Sequence, residues 1–370
     1  AIARGCFLAS SEAMTEGHPD KLADQVAEAI LDACLEQDPD TKSAIEVVTK
    51  TGMVMTLGDI TTTARVECDM IVRDVVKSIG YDAADKGLDY KTMEVVNKID
   101  LREPTEEGFL DMPDDDGVIF GYATNETPEL VPLSHKLALQ LCSKFSRARK
   151  SGLLPWARPD GKAQVSVEYS KDQDGALLAQ RVHTIVISVQ HAPETSLDRI
   201  RADVQNSVID SVMPANLMDA KTVVLINPAG RFVIGGPHGD AGLTGRQSVA
   251  DAYGGWSCPS STSLIGKDAS KVGRCASYAA RWVAKSLVKA GLTKRCSVQL
   301  SYTTGIAKPS SISVDSYGSA RHGLTDMDLC DTVRKNFELE PAAIVRDLKL
   351  QRPQYYRFST FGHYGREDLV

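Results

Sequence analysis

The sequence lacks any apolar run that approaches the ~20 residues needed to cross a bilayer, so we expect no membrane insertion. Its first residues carry no long apolar core of a signal peptide. We expect a cytoplasmic protein, with an organelle reached after removal of a transit peptide as the alternative. Positive charge is also scarce, since 42 Lys and Arg against 49 Asp and Glu give a net charge of −7. A general nucleic-acid binder would carry a basic surplus, so we expect no nucleic-acid partner.

Paired cysteine and metal motifs are missing as well. The eight cysteines are scattered at long intervals and form no CxxC pair. This pattern is typical of reduced, mostly buried thiols and not of a disulfide or zinc framework. No HExxH arrangement marks a zinc site, and no GxxxxGK[ST] run marks a Walker loop. We therefore expect a reducing compartment.

What the sequence does have is length and a recurring pattern. Its 370 residues, 42% hydrophobic and 25% charged, suit a globular chain of two or three domains. The order helix, strand pair, helix occurs three times. Periodicity predicts helices at 20–37, 66–79, 134–150, 197–212, 274–289 and 326–336, and strands at 45–49, 53–60, 164–169, 181–190, 296–303 and 311–317. The predicted fold class is α+β, with three similar units of α/β layers, and chance recurrence of a common order is the alternative.

Two irregular stretches indicate where these units join. The acidic, Pro-containing stretch 101–117 has little periodicity and is predicted to be a mobile loop or linker. A Gly-rich stretch begins near residue 230. We therefore predict an N-terminal domain at 5–100, a central domain at 118–229 and a C-terminal domain at 230–370.

A His, a carboxylate and a Lys stand together at residues 16–21, EGHPDK, directly before a strongly amphipathic helix. Pro19 suits the first turn, and Asp20 suits the positive end of the helix dipole. An ordinary helix start is the simpler interpretation. The functional interpretation is a helix N-terminus that binds a phosphate together with its divalent ion.

Glycines are concentrated at residues 235–246, GGPHGDAGLTGR. So many glycines let backbone amides approach an anion closely. Asp240 and Arg246 would add a metal ligand and a phosphate clamp. The segment follows a strand-like run at 231–234, and the alternative is a flexible linker between domains.

Further cations stand near predicted element starts. Lys267 and Lys271 are four apart and would share one face of the helix predicted from 274, facing either solvent or a polyanion. Lys162 stands beside Asp160 at a strand start, which alone indicates only a turn. Glu46 lies on the first strand, where a carboxylate usually faces solvent.

At EGHPDK, FGYATNET, GGPHGDAGLTGR and GKDxxK together, the chain resembles the S-adenosylmethionine synthetase (methionine adenosyltransferase) family. The resemblance runs from about Phe7 to Arg366. It implies three α+β domains related by pseudo-threefold symmetry and a homodimer or higher oligomer with active sites at the interface. It also implies that 101–117 is a gating loop. The implied partners are ATP and methionine, whose sulfur attacks C5′ of the ribose and expels tripolyphosphate, and the implied cofactors are Mg²⁺ and K⁺.

The resemblance also implies roles for individual residues. His18, Lys162 and Arg246 match the catalytic positions, with His18 near the breaking C5′–O bond. The ATP and polyphosphate contacts match Asp160, Lys162, Phe232, Arg246, Lys267 and Lys271. The methionine contacts match Asp59, Asp115 and Asp240. The Mg²⁺ ligand matches Asp20, and the K⁺ site matches Glu46.

Several positions depart from the family pattern. Asp59 stands where the family has Glu, Gln247 replaces a Lys that follows the catalytic Arg, and Gly273 replaces a second Mg²⁺ aspartate. The run SCPSSTSLI at 257–265 replaces a glycine-rich loop. Each lost charge-assisted contact could cost about 1.5–3 kcal/mol.

Two functions therefore compete. The first is an active methionine adenosyltransferase with an altered site. The second is a catalytically impaired paralogue that serves as a regulatory or structural subunit, including in a hetero-oligomer with an active homologue. Measuring S-adenosylmethionine formation separates the two.

Overall fold

The computed structural model describes residues 2–104 and 115–366. The first range contains, in order, β1 (Phe7–Met14), α1 (Pro19–Leu35), β2 (Lys42–Lys50), β3 (Met53–Thr61), α2 (Cys68–Ile79), β4 (Asp82–Ala83), β5 (Leu88–Asp89) and β6 (Glu94–Arg102). The second range begins with β7 (Gly117–Thr124), α3 (Leu133–Lys150), β8 (Ala157–Lys171), β9 (Leu177–His191), α4 (Leu197–Val204), α5 (Asp210–Val212) and β10 (Val223–Ile226). It continues with α6 (Gly236–Gly239), β11 (Gly242–Leu243), α7 (Ser248–Asp251), α8 (Val272–Lys289), β12 (Arg295–Thr303), β13 (Ile306–Asp315), α9 (Asp326–Asn336) and α10 (Pro341–Asp347).

Three main sheets organise the described residues, with strand orders β11-β2-β3-β6, β1-β8-β9-β10 and β13-β12-β7. Strands β4 and β5 form a separate small ribbon. Neighbouring strands are antiparallel except for the pairs β3–β6 and β9–β10. Helices and sheets are mixed throughout, so the α+β fold class is confirmed.

The three sheets exchange strands in a cycle. Strand β1 precedes α1 in the chain but pairs with β8 in the second sheet. Strand β7 precedes α3 but pairs with β12 in the third sheet, and β11 precedes α8 but pairs with β2 in the first. Each sheet is thus completed by a strand from another part of the chain.

The apolar residues whose spacing predicts the first helix and strands also pack against one another in the core. Leu22 and Val26 of α1 are fully buried in one core with Ile45 and Val47 of β2. Between those two strand residues, Glu46 is exposed as expected. The helix predicted at 326–336 has the same bounds in α9, and the one predicted at 20–37 is confirmed as α1.

The chain is helical over the whole range predicted at 197–212, as α4, a π-helical turn at Gln205–Ile209 and α5. Two other local predictions need correction. The strand-like run at 231–234 is not a strand. Lys267 and Lys271 do not share a helical face, because α8 begins only at Val272.

A buried ion pair and one carboxylate tie α1 to the C-terminal third of the chain. Arg274 of α8 donates from Nη1 to Glu28 Oε2 at 3.0 Å, and both side chains are fully buried. The Arg274 guanidinium also lies 4.2 Å from the centre of the Tyr355 ring. Asp32 of α1 accepts three backbone N–H groups from residues 354–356.

Six of the eight cysteines are buried, as expected, while Cys6 is half-buried and Cys258 is exposed. Within residues 2–104 and 115–366, no helix is both long enough and apolar enough to cross a membrane. The central part of the predicted loop 101–117 lies outside the described residues. At its edges, Arg102 ends β6 and Gly117 begins β7.

Candidate active site

The loop between β1 and α1 presents His18. A Cβ atom on Gly17 would lie 2.3 Å from Pro159 Cβ, so only glycine allows this close approach. The Gly17 carbonyl accepts a hydrogen bond from the Tyr81 hydroxyl at 2.5 Å. His18 then serves as the N-cap of α1, and Pro19 takes the first helical position.

Glu16 anchors the same loop to α3. Its two carboxylate oxygens accept hydrogen bonds from Arg149 Nη2 and Lys150 Nζ, each at 2.7 Å. Arg149 also donates to the Ile79 carbonyl at 2.5 Å. The loop that carries His18 is therefore held by side chains from the central part of the chain, which the sequence alone did not reveal.

His18 is a neutral group at physiological pH. Burial lowers the pKa of His18 to about 4, and the nearby charges of Lys21 and Lys162 act in the same direction, while Asp20 and Asp240 oppose them. Its Nδ1 accepts the backbone N–H of Asp20 at 3.2 Å. A neutral ring that accepts at Nδ1 carries its proton on Nε2, where it can serve as a hydrogen-bond donor.

Asp20 is buried and bound to the glycine-rich segment. Its Oδ1 accepts the backbone N–H of Leu243 at 3.0 Å, and its Oδ2 accepts the side-chain amide of Gln247 at 2.6 Å. Arg246 Nη1 lies 3.6 Å from Asp20 Oδ1. The structure thus brings together the predicted metal ligand Asp20 and the predicted clamp Arg246.

The glycine-rich segment is anchored along its length. The backbone N–H of Gly236 donates to Asp160 Oδ2 at 2.8 Å, and that of Gly245 donates to Asp24 Oδ1 at 2.9 Å. A Cβ atom on Gly242 would lie 2.1 Å from the Pro19 carbonyl oxygen. Burial raises the pKa of Asp160 to about 6. These contacts argue against the flexible-linker interpretation.

Lys21 does not face the site as a free cation. It is buried and donates to Asp24 Oδ2 at 2.8 Å and to Asp251 Oδ1 at 2.6 Å. Burial alone would lower the pKa of Lys21, but the two carboxylates raise it above its usual range. Burial raises the pKa of Asp24 to about 7, against the opposing charge of Lys21. The expectation that Lys21 helps to bind a phosphate is therefore replaced by a structural role.

Two other predicted residues, Lys162 and Asp240, lie close enough to His18 to influence its pKa, whereas Phe232 lies beside Gly235. Lys162 of β8 is half exposed, and its Nζ lies 2.7 Å from Glu12 Oε2 on the neighbouring strand. Asp240 is exposed and close enough to His18 to influence its pKa. Phe232 is half-buried, and its backbone N–H donates to His191 Nε2 at 3.0 Å.

A second group of predicted residues lies near β2 and the start of α8. Glu46 accepts a hydrogen bond from the Thr244 hydroxyl. Lys267 forms an isolated bridge with Ala44 of β2. Burial lowers the pKa of Lys267, while the charges of Asp115 and Glu46 raise it. Lys271 is the N-cap residue of α8.

Asp59 stands apart from both groups. It lies exposed on β3 and forms an ion pair with Arg102 of β6. In the part of the chain that the structure describes, no hydrogen bond or ion pair joins it to His18 or to Lys267. The methionine role predicted for Asp59 therefore rests on the resemblance.

The donor set fits a divalent ion only in part. Mg²⁺ commonly binds through one or two carboxylates together with substrate phosphates. Asp20 supplies one buried carboxylate, whereas Gly273 supplies none. Among residues 2–104 and 115–366, no three His, Cys, Asp or Glu side chains form a metal-binding group. Asp20 therefore fits one ion shared with phosphate oxygens, and position 273 offers no carboxylate for another.

Comparison with protein-family models accounts for nearly the whole chain. Residues 6–104 match the N-terminal domain of S-adenosylmethionine synthetase, residues 112–232 match its central domain, and residues 234–370 match its C-terminal domain. The three matches follow one another in the order of the three main parts of the fold. This chain belongs to the S-adenosylmethionine synthetase family.

Proposed function

We propose that this chain is a methionine adenosyltransferase, which forms S-adenosylmethionine from ATP and methionine and releases phosphate and diphosphate. The observation that carries the proposal is the neutral His18 ring, which caps α1 next to the Asp20 carboxylate. Lys162 and Arg246 supply positive charge around it. A neutral donor beside fixed cations suits the departure of a highly charged leaving group.

The proposed reaction is a displacement at C5′. The methionine sulfur forms a bond to C5′ and becomes a sulfonium, while the C5′–O bond breaks and its electron pair stays on the tripolyphosphate oxygen. His18 donates a hydrogen bond from Nε2 to that oxygen. One water molecule then cleaves a P–O–P bond of the tripolyphosphate, which gives phosphate and diphosphate. Lys162, Arg246, Lys267 and Lys271 bind the phosphates. Mg²⁺ would add charge stabilisation while held by Asp20 and the phosphate oxygens.

Substrate binding extends this proposal. We assign Asp160 and Phe232 to the nucleoside, Asp59, Asp115 and Asp240 to methionine, and Glu46 to K⁺. The support is the family membership together with the position of Asp240 close to His18 and that of Asp160 close to Asp20 and Asp240. Glu46 accepts a hydrogen bond from the Thr244 hydroxyl, so a K⁺ ion at Glu46 would lie next to the glycine-rich segment.

We further propose that the chain forms a homodimer. The face of the first sheet that is turned away from α1 carries Val48, Met55 and Val96 in direct register across β2, β3 and β6. All three are only half-buried. A second copy would remove this apolar row from water. Sedimentation velocity at micromolar concentration tests this, with Met55→Lys expected to shift the equilibrium to monomer.

We propose domain limits at 5–100, 118–229 and 230–370. The proposed compartment is the cytoplasm.

The competing function is a catalytically impaired subunit that associates with an active homologue. The observation that favours it is the missing carboxylate at Gly273, combined with the neutral side chain of Gln247.

One assay decides between the two functions. Purified protein receives ATP, methionine, Mg²⁺ and K⁺, and S-adenosylmethionine is quantified. Turnover of about 1 s⁻¹ supports the enzyme and contradicts the impaired subunit. His18→Ala should then lower kcat far more than it changes KM. His183→Ala is the matched control, because the His183 ring bonds the adjacent Thr184 hydroxyl on β9 instead. Absence of product, with stable binding to an active homologue, would overturn the proposal.

A further inference from the structure

The run of hydroxyl residues Ser260–Ser263 is fixed between β7 and α8. The backbone N–H of Ser261 donates to the Val118 carbonyl at 3.0 Å, and the Val118 N–H donates to Ser261 Oγ at 3.1 Å. Ser260 Oγ lies 2.7 Å from Ser277 Oγ on α8. The loop thus covers the free edge of β7 and holds Thr262 in a defined place.

Thr262 occupies the space that a side chain at position 273 would need. A Cβ atom added to Gly273 would lie 2.1 Å from Thr262 Oγ1. That hydroxyl oxygen is shielded from solvent and has no hydrogen-bond partner in the described part of the chain. A buried hydroxyl without a partner is unfavourable, so its position is imposed by the loop.

The space that Thr262 fills lies among positive groups. Gly273 is the second residue of α8, where the helix dipole favours negative charge. Lys267 Nζ would lie 3.8 Å from the added Cβ. A carboxylate at 273 would therefore be electrostatically favoured, and the chain places a neutral hydroxyl there instead.

We propose that Thr262 and Gly273 act as a pair that closes one divalent-cation position, so that a polyphosphate is bound with one metal ion per chain. The metal count rests on the proposed function, whereas the steric pairing does not. Asp20 holds the remaining ion with the phosphates, and Lys267 takes over part of the neutralisation.

The pairing predicts that a carboxylate placed at position 273 alone does not reopen the cation position. Thr has two heavy atoms on Cβ, and only one of its three staggered rotamers would turn a hydrogen toward residue 273. Gly273→Asp must force Thr262 into that rotamer. Thr262→Ala removes Oγ1 and leaves its own Cβ at 3.4 Å from a Cβ at position 273, which is ordinary contact.

The first test measures the steric pair without any ligand. Thermal unfolding is recorded for wild type, Gly273→Asp, Thr262→Ala and the double variant. We expect Gly273→Asp to lower Tm by about 3 °C or more, and Thr262→Ala to restore most of that loss in the double variant. If the two substitutions add independently, the pair does not exist and the proposal is overturned.

The second test counts the ions, with Mn²⁺ as the probe and inorganic tripolyphosphate as the anion. Free Mn²⁺ is followed by electron paramagnetic resonance. We expect one Mn²⁺ per chain for wild type and Thr262→Ala, and two for Gly273→Asp/Thr262→Ala. The matched control Gly273→Asn/Thr262→Ala has the same shape without the charge and should bind one.

The outcomes separate this proposal from the proposed function. Two Mn²⁺ ions per wild-type chain, with tripolyphosphate bound, would overturn the closed cation position and leave the transferase proposal standing. If Gly273→Asp and the double variant both bind two Mn²⁺ ions with equal affinity, that result would also overturn the closed cation position, because Thr262 would then have no effect on it. No binding of tripolyphosphate to any variant would contradict the proposed function, and the Tm cycle would still decide the pairing.

Discussion

Gln247 donates its side-chain amide to Asp20 Oδ2 at 2.6 Å, on the opposite side of the carboxylate from the Leu243 backbone N–H. The amide orients Asp20 without adding charge. Arg246, with Nη1 at 3.6 Å from the other carboxylate oxygen, is then the nearest cation to Asp20 on this segment. Gln247 thus fixes the orientation of the Asp20 carboxylate and adds no positive charge beside it.

A cation at position 247 should strengthen polyphosphate binding. Gln247→Lys replaces a neutral donor with a charged one beside the proposed phosphate positions, and we expect about tenfold tighter binding of tripolyphosphate. Isothermal titration calorimetry measures the change. Gln247→Met, which removes the amide without adding charge, is the control and should bind no more tightly than wild type. Equal affinity of the Lys and Met variants would contradict the electrostatic account.

The neutral state of His18 predicts a specific pH dependence of stability. The unfolded chain protonates histidine near pH 6.5, whereas folded His18 protonates at about 4. Its contribution is therefore fully present above pH 6.5 and is lost as the pH falls from 6.5 to 4. With a side-chain exposure of 24%, we expect a loss of about 2 kcal/mol.

Urea unfolding at pH 7 and at pH 4.5 measures this effect. His18→Asn keeps a capping side chain and removes the titrating group. The difference in unfolding free energy between wild type and variant should shrink by about 2 kcal/mol at the lower pH. A difference that is the same at both pH values would show that His18 is not held neutral.

The two cations on Glu16 should contribute unequally. Arg149 is almost buried, at 10% exposure, whereas Lys150 is 46% exposed. Arg149→Met leaves the buried Glu16 carboxylate poorly compensated, and we expect a loss of about 3 kcal/mol. Lys150→Met breaks a solvent-screened pair and should cost less than about 1 kcal/mol. Chemical denaturation of both variants provides the comparison, and equal losses would contradict it.

The buried pair of Glu28 and Arg274 should be costly to break from one side only. Glu28→Gln leaves the Arg274 guanidinium buried without its counter-charge, with an expected loss of about 3–5 kcal/mol. Glu28→Leu/Arg274→Met removes both charges and should be more stable than Glu28→Gln. Urea unfolding of the single and double variants measures this order. A double variant less stable than the single one would show that the pair is net stabilising.

Local elements could be predicted from sequence because their signals are local. The buried face of α1 and the alternation around Ile45 follow directly from apolar spacing. Lys267 and Lys271 show the limit of this reasoning. Their spacing fits a helical face, yet the loop before α8 places Lys267 at a bridge with β2. Where a helix begins depends on packing that spacing does not encode.

Contacts between residues that are far apart in the chain could not be predicted from the sequence. Nothing in the sequence near Glu16 indicates that Arg149 and Lys150 bind it across more than 130 residues of chain. The position of Lys21 next to His18 and Asp20 suggests a phosphate contact. Its ammonium group instead donates hydrogen bonds to Asp24 and Asp251. The sequence does not reveal that Thr262 fills the space next to Gly273. That contact depends on the conformation of the loop at 257–265.

The cyclic exchange of β1, β7 and β11 determines which fragments of the chain can fold on their own. A fragment that ends at residue 104 would keep β1 without β8 and would lose β11 from the edge of its own sheet. A fragment from 112 to 232 would carry β7 unpaired and would miss β1. Exposed strand edges of this kind promote aggregation. Expression of single family domains is therefore expected to give insoluble products, whereas a circular permutant that retains all three pairings keeps β1, β7 and β11 paired with β8, β12 and β2.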